Sequence, residues 1–304
     1  MNPSDNATTI LIHLAGGVAL LIWAVRLVRT GAMRAFGVSL RQALQSFTRN
    51  RFAAFGSGIA VTMVLQSSTA TTLLVSSFAG RDLIVPAMAL AVLLGANLGT
   101  ALAAFVISMD LGWVWGVCVA LGVALYLGHE AMDRARNIGR VLVGIGLILL
   151  SLIELNAAAA PLAQSPSFRP VLGALAGEPL LAILVAVAAT WLTHSSIAII
   201  LLIATFAASG LFPPATAVAL VLGANLGNAL IPVLNQLGAP AAQRRAAIGT
   251  LLTRLIRVAF LLPFAKPLSA WLQALPGQDP RLAIEFHVAL NLVGALIFLP
   301  FVGP

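Results

Sequence analysis

Apolar residues run along this chain in long blocks, broken by short polar or arginine-bearing segments, and the blocks keep no polar face. Such blocks predict helices that cross a bilayer, each needing about 20 residues. The pattern predicts helices at about 9–25, 83–108, 112–129, 141–153, 212–236, 258–275 and 282–303. Two longer stretches, 52–79 and 179–209, carry polar residues at their middle. As one straight helix, 28 residues would reach about 42 Å, against a hydrocarbon core of about 30 Å. Each stretch is therefore expected to fold in half as a re-entrant hairpin with its polar tip near the midplane, where irregular backbone needs protein or water around it.

Composition agrees: 60% of the 304 residues are hydrophobic, 9% are charged, and the mean hydropathy is +1.03. An ordinary soluble domain carries about 25% charge. There is room for about eight to ten membrane segments and no separate soluble domain. The net charge of +8 would suggest nucleic acid in a soluble protein, but here the arginines lie between apolar blocks and report topology. The single cysteine, Cys118, excludes an intrachain disulfide. The first apolar stretch has no basic residue before it and reads as a retained helix.

Shifted by 128 residues, the sequence matches itself without a gap. Residues 66–102 lie over 194–230 with 20 identities in 37 positions. The match puts Ser67-Ser68 over Ser195-Ser196, Pro86 over Pro214, and Gly95-Ala96-Asn97-Leu98-Gly99 over Gly223-Ala224-Asn225-Leu226-Gly227. Shared hydrophobicity does not align such residues, so one unit is written twice. The two units divide the chain at 1–140 and 141–304.

Loop charge distinguishes parallel from inverted copies, because short cytoplasmic loops are rich in Lys and Arg. Residues 26–51 hold Arg26, Arg29, Arg34, Arg41, Arg49 and Arg51 and no acid, whereas the equivalent 154–179 holds Glu154, Arg169 and Glu178. After the second motif the bias exchanges: Asp110 stands alone in the first copy, while the second has Arg244, Arg245, Arg254 and Arg257. This exchange predicts an all-α integral membrane protein of two inverted-topology repeats, with the N-terminus outside and the C-terminus cytoplasmic. Segment 26–51 reads as an interfacial amphipathic connection, and Ala157–Pro170 is the nearest thing to a linker.

Inverted repeats with broken helices place their sites where the repeats face each other. Ser67, Ser68, Thr69, Ser195 and Ser196 are therefore the candidate anion ligands, helped by helix N-termini whose N–H groups and dipoles favour negative charge. The oxygens of Gln66, Asn97, Thr100, Asn225 and Asn228 are hard ligands of the kind small cations accept, or braces for the hairpins. His194, where the first copy has Gln66, joins that set or is a satisfied polar residue. Neither motif pair holds a Lys, Arg, Asp or Glu, so a neutral site is expected to need bound cations to hold an oxyanion.

Plainer readings exist for single residues. Ser and Thr in membrane helices bond back one turn, Asn glues helices, and small residues allow close packing. The symmetric pairing at one offset favours function over those readings for the motif residues. For His13 and His129 an interfacial role is the simpler reading. His287 and Asn291 share a helix face at i, i+4 as a structural pair, and Arg254 and Arg257 read as anchors snorkelling from a helix end.

The paired QSST/HSSI and GANLGT/GANLGN motifs resemble the repeated QSSS and GANIGT signatures of the sodium–phosphate cotransporter family, which includes the type II animal carriers and bacterial relatives. FHVALN at 286–291 is similar to that family's HxxFN helix. The resemblance spans about residues 14–300. It implies sodium-coupled symport of inorganic phosphate through two inverted repeats, each with a QSS hairpin, in a bacterial inner membrane. His194, Ile197 and Asn228 depart from the family pattern. Many bacterial relatives also carry a PhoU-like cytoplasmic domain, which is not expected within residues 1–304.

The expected partners are phosphate, sodium ions as coupling ions and the lipid bilayer, with no nucleic acid and a homodimer left open. No organic cofactor, and no metal beyond sodium, is expected. Alternatives are a carrier of another oxyanion, a proton-coupled carrier, and an anion-sensing membrane subunit without turnover. An intramembrane serine hydrolase using His194 lacks a carboxylate in either motif to orient the histidine.

Overall fold

The structure, a computed structural model, describes residues 7–46, 50–109, 111–128, 133–164, 168–274 and 281–302. Arg49, Asp110, His129 and both chain ends, on which parts of the topology reading rest, lie outside them.

The described chain is built from helices: α1 (Ala7–Ser46), α2 (Arg51–Leu65), α3 (Ser68–Ala79), α4 (Pro86–Ile107), α5 (Trp115–Gly128), α6 (Asp133–Gln164) and α7 (Arg169–Gly177). There follow α8 (Pro179–Thr193), α9 (Ser196–Ala208), α10 (Pro214–Asn235), α11 (Ala241–Leu261), α12 (Ala265–Ala274) and α13 (Leu282–Phe298). Among the described residues, six stretches are long and apolar enough to cross a bilayer: Thr8–Ser46, Pro86–Ile107, Asp133–Ala159, Pro214–Asn235, Ala241–Leu268 and Leu282–Phe301. The protein is an all-α integral membrane protein.

The bounds of α2, α8, α4 and α10 keep the sequence offset: 51–65 becomes 179–193, and 86–107 becomes 214–235. Proline opens α4 and α10 at the first turn, where its missing N–H costs nothing. Both helices are buried on nearly every face and form the centre of the bundle. Each packs on the helix that precedes its serine turn, α4 on α2 and α10 on α8.

Glycine makes that packing possible. A Cβ on Gly95 would run into the Phe55 carbonyl oxygen, and one on Gly99 would stand 2.6 Å from that of Ile59. In the second copy Gly223 faces the Ile183 carbonyl, and a Cβ on Gly227 would stand 2.7 Å from that of Val187. Phe55 and Ile183, like Ile59 and Val187, are 128 residues apart, so one contact is built twice. Gly95→Ala and Gly223→Ala are each expected to destabilise by about 1–3 kcal/mol, the usual range for overpacking. Thermal unfolding in detergent checks this, and unchanged melting would refute the contact.

Five expectations are corrected. The helix at 9–25 and the interfacial segment from 26 as far as Ser46 are one helix, α1. The buried stripe Leu21, Ala24, Val25, Val28 and Ala32 continues the helical period past Arg26, and no proline interrupts it. The crossing at 141–153 is the middle of the longer α6, which packs against α1 and α5. Most of Ala157–Pro170 is helical, since α6 runs through Pro161 to Gln164 and α7 begins at Arg169. The helix at 258–275 starts earlier, within the apolar stretch Ala241–Leu268. Arg254 and Arg257 are only 3% and 9% exposed and are not snorkelling anchors. Their helix face meets the amides and carbonyls of α4, α10 and α13, which accept the guanidinium hydrogens that lipid could not.

Candidate functional site

α2 ends at Gln66 and α8 at His194, each in the left-handed conformation, with φ of 49° and 53°. That residue ends one helix, and the next becomes the N-cap of a new helix. The Ala70 N–H donates to Ser67 Oγ at 3.2 Å, and the Ala198 N–H to Ser195 Oγ at 3.2 Å. A cap of this kind occupies a lone pair of the hydroxyl and leaves its O–H to donate elsewhere. The two turns thus have the same backbone and the same cap, although Gln66 and His194 differ in chemistry.

Both turns open into one cavity of about 30 Å³, lined by Gln66, Ser67, Ser68, Thr69, His194, Ser195, Ser196 and Asn228. Two helix N-termini, those of α3 and α9, therefore approach one small space with their first backbone N–H groups. The serines are buried and His194 is exposed. Such a space holds a water or two, so the turns must part slightly to admit an ion of five heavy atoms.

Asn228 fastens the first turn. Its Nδ2 donates to Ser68 Oγ at 2.7 Å, and its Oδ1 accepts from Thr69 Oγ1 at 2.8 Å. One side chain of the second copy thereby fixes two residues of the first. Thr100, at the matching position of α4, donates to the Ala96 carbonyl one turn back at 2.9 Å and does not line the cavity.

The remaining cavity wall is α1, through Val25, Arg26 and Arg29. Arg26 and Arg29 stand at i, i+3 on one helix face. Arg26 Nη2 also donates to the Thr193 carbonyl, at 3.4 Å, where α8 ends. The expectation of a neutral site is corrected here: the serine motifs are uncharged, but the cavity they form is not. Sequence reasoning missed these arginines because it assigned 26–51 to an interfacial connection and to topology. The signal was present in the apolar stripe that carries α1 through Arg26.

Asn97 and Asn225 are not brought to the cavity. Each is the twelfth residue of its 22-residue helix, and both belong to a buried polar cluster with Arg254, Arg257, His287 and Asn291. Arg254 donates to Asn97 Oδ1 and to the Asn225 carbonyl. Asn225 Nδ2 contacts His287 Nδ1 at 2.9 Å, and Asn291 Nδ2 donates to Asn225 Oδ1 at 3.3 Å. Apart from Thr100, which joins neither, the candidate ligands thus fall into two groups, joined by one turn of α10 from Asn225 to Asn228.

Residues 20–157 and 155–275 each match the Na+/Pi-cotransporter family. The chain belongs to that family. It is 42% identical over 294 residues to the "Putative inorganic phosphate export protein YjbB" of Escherichia coli K12, covering 97% of this chain and 54% of that protein. The protein of the same name from Salmonella typhimurium is 42% identical over 291 residues, covering 96% and 53%. The "Uncharacterized protein YqeW" of Bacillus subtilis is 24% identical over 291 residues, covering 96% and 94%. The chain spans about half the length of the YjbB proteins it matches. No solved structure matches it significantly.

Proposed function

We propose that the protein carries inorganic phosphate across a bacterial inner membrane by alternating access, with the ion held between the two serine turns. The observation that carries this reading is the meeting of both turns, two helix N-termini and two arginines at one cavity. In the bound state Ser67, Ser68, Ser195 and Ser196 donate hydroxyl hydrogens, with Thr69 held beside them by Asn228. The first N–H groups of α3 and α9 add backbone donors, and Arg26 and Arg29 balance the charge. The matched helix bounds of the two halves and the exchanged loop charges support two repeats inserted in opposite senses. The helix pairs α2–α3 and α8–α9 would then enter the membrane from opposite sides as hairpins.

Sodium is the proposed coupling ion, on the strength of the family. Gln66 Oε1 is a buried oxygen with no donor and suits a cation beside the phosphate. A second reading concerns direction and is favoured by Arg26 and Arg29: fixed positive charge lets the cavity hold phosphate without sodium. The relatives named for phosphate export point the same way. An inward sodium gradient opposes export by symport, so the two readings separate in one experiment.

Proteoliposomes containing purified protein are loaded with radiolabelled phosphate inside or outside, with sodium, potassium or a proton gradient. Accumulation against the phosphate gradient only with inward sodium supports symport. Sodium-indifferent equilibration supports the export reading. Retention of label under all conditions, by liposomes whose protein binds phosphate, would overturn the carrier function in favour of a sensor.

A further inference from the structure

The core between α4, α10, α11 and α13 holds two guanidinium groups and no carboxylate among the described residues. Arg254 and Arg257 are 3% and 9% exposed, His287 2%, Asn291 1%, and Asn97 and Asn225 4% each. The chain has nine acidic residues, of which Asp82, Asp133, Glu154, Glu178 and Glu285 are described and all exposed. Among the described residues, the groups that accept from the two arginines are neutral: Asn97 Oδ1, Asn291 Oδ1 and the carbonyls of Asn225, Thr253 and Leu290. Arginine keeps its proton in proteins, and buried charge is ordinarily paired.

The unused atoms in this cluster are of one kind. Arg254 Nε, Arg257 Nη2, Asn97 Nδ2 and His287 Nε2 are buried without a partner. The amide of Asn225, 2.9 Å from His287 Nδ1, donates to it and leaves the imidazole proton on Nε2. All four unused atoms are then N–H donors, and two belong to cations. A sodium ion finds no unused oxygen here, whereas an oxyanion finds donors and opposite charge. Two fixed charges match one divalent anion, and guanidinium forks suit phosphate oxygens.

We propose that this cluster is a second phosphate station, one turn of α10 from the cavity, so that Asn225 and Asn228 face two successive positions of the ion. The proposal rests on the reading of the protein as a phosphate carrier. It also assigns Arg254 and Arg257 to substrate binding.

The test is equilibrium dialysis of the purified full chain in detergent against radiolabelled inorganic phosphate. Two equivalents are expected for the wild type and one for Ser67→Ala with Ser195→Ala. Arg254→Gln and Arg257→Gln should each also bind one equivalent, and that retained equivalent reports that they are folded. A single wild-type equivalent, lost in the serine variant, overturns the second station and leaves the carrier reading intact. Absence of any bound phosphate overturns both. If neither glutamine variant can be purified, the wild type and the serine variant decide by binding two and one.

Discussion

Replacing Ser67 and Ser195 together by alanine is expected to abolish phosphate transport. A hydrogen bond to a charged group contributes about 1.5–3 kcal/mol. Removing two weakens phosphate at the cavity by about two to four orders of magnitude, since about 1.4 kcal/mol is tenfold. The serines also cap α3 and α9, and alanine at an N-cap costs about 1 kcal/mol per helix. The variant should therefore melt earlier than the wild type while still inserting. Threonine separates the two effects, because it keeps both the cap and a hydroxyl. Ser67→Thr with Ser195→Thr should restore most of the transport that alanine removes. Uptake or efflux in the alanine variant at the wild-type rate, measured in proteoliposomes, would refute the assignment of the serines to the ion.

How far the sequence led depended on whether a signal was local or required packing. The offset of 128 residues placed the serine turns and the central helices to within a few residues, because glycine, proline and paired serines mark helix boundaries directly. Gln66 and His194 aligned despite different side chains, and the structure gives the reason: both ends of helices need a left-handed residue there. Arginines were misread for the opposite reason. Arg26, Arg29, Arg254 and Arg257 were assigned to membrane surfaces, the usual place for such residues near apolar segments. For Arg26 and Arg29 the local signal was the apolar stripe of α1, but burial of Arg254 and Arg257 depends on which neighbouring helices bring amides and carbonyls to them, and that information lies far away in the chain. Asn97 and Asn225 show the same limit: their pairing was legible, but the partner that separates them from the serines, Arg254, was not.

Arg26→Gln with Arg29→Gln is expected to remove phosphate binding at the cavity in sodium-free buffer. Both side chains line it, and Arg26 is tied to the end of α8 through the Thr193 carbonyl, so its charge stays near the second turn. Removing one charge-assisted hydrogen bond to the ion costs about 1.5–3 kcal/mol, or roughly ten- to a hundredfold in Kd. Arg29→Lys alone should weaken binding less, because the charge persists while the planar fork is gone. Sodium changes the expectation in a defined direction. A cation bound near Gln66 would replace part of the missing charge, so the double variant should bind phosphate more tightly with sodium than with potassium, by a larger factor than the wild type does. Titration of phosphate in each salt, with the binding retained by the serine variant subtracted as the cavity-independent baseline, reads both quantities. If the double variant keeps the wild-type Kd in potassium, fixed charge plays no part in holding the ion. The neutral serine turns would then depend on coupling cations alone, and the export reading would lose its structural support.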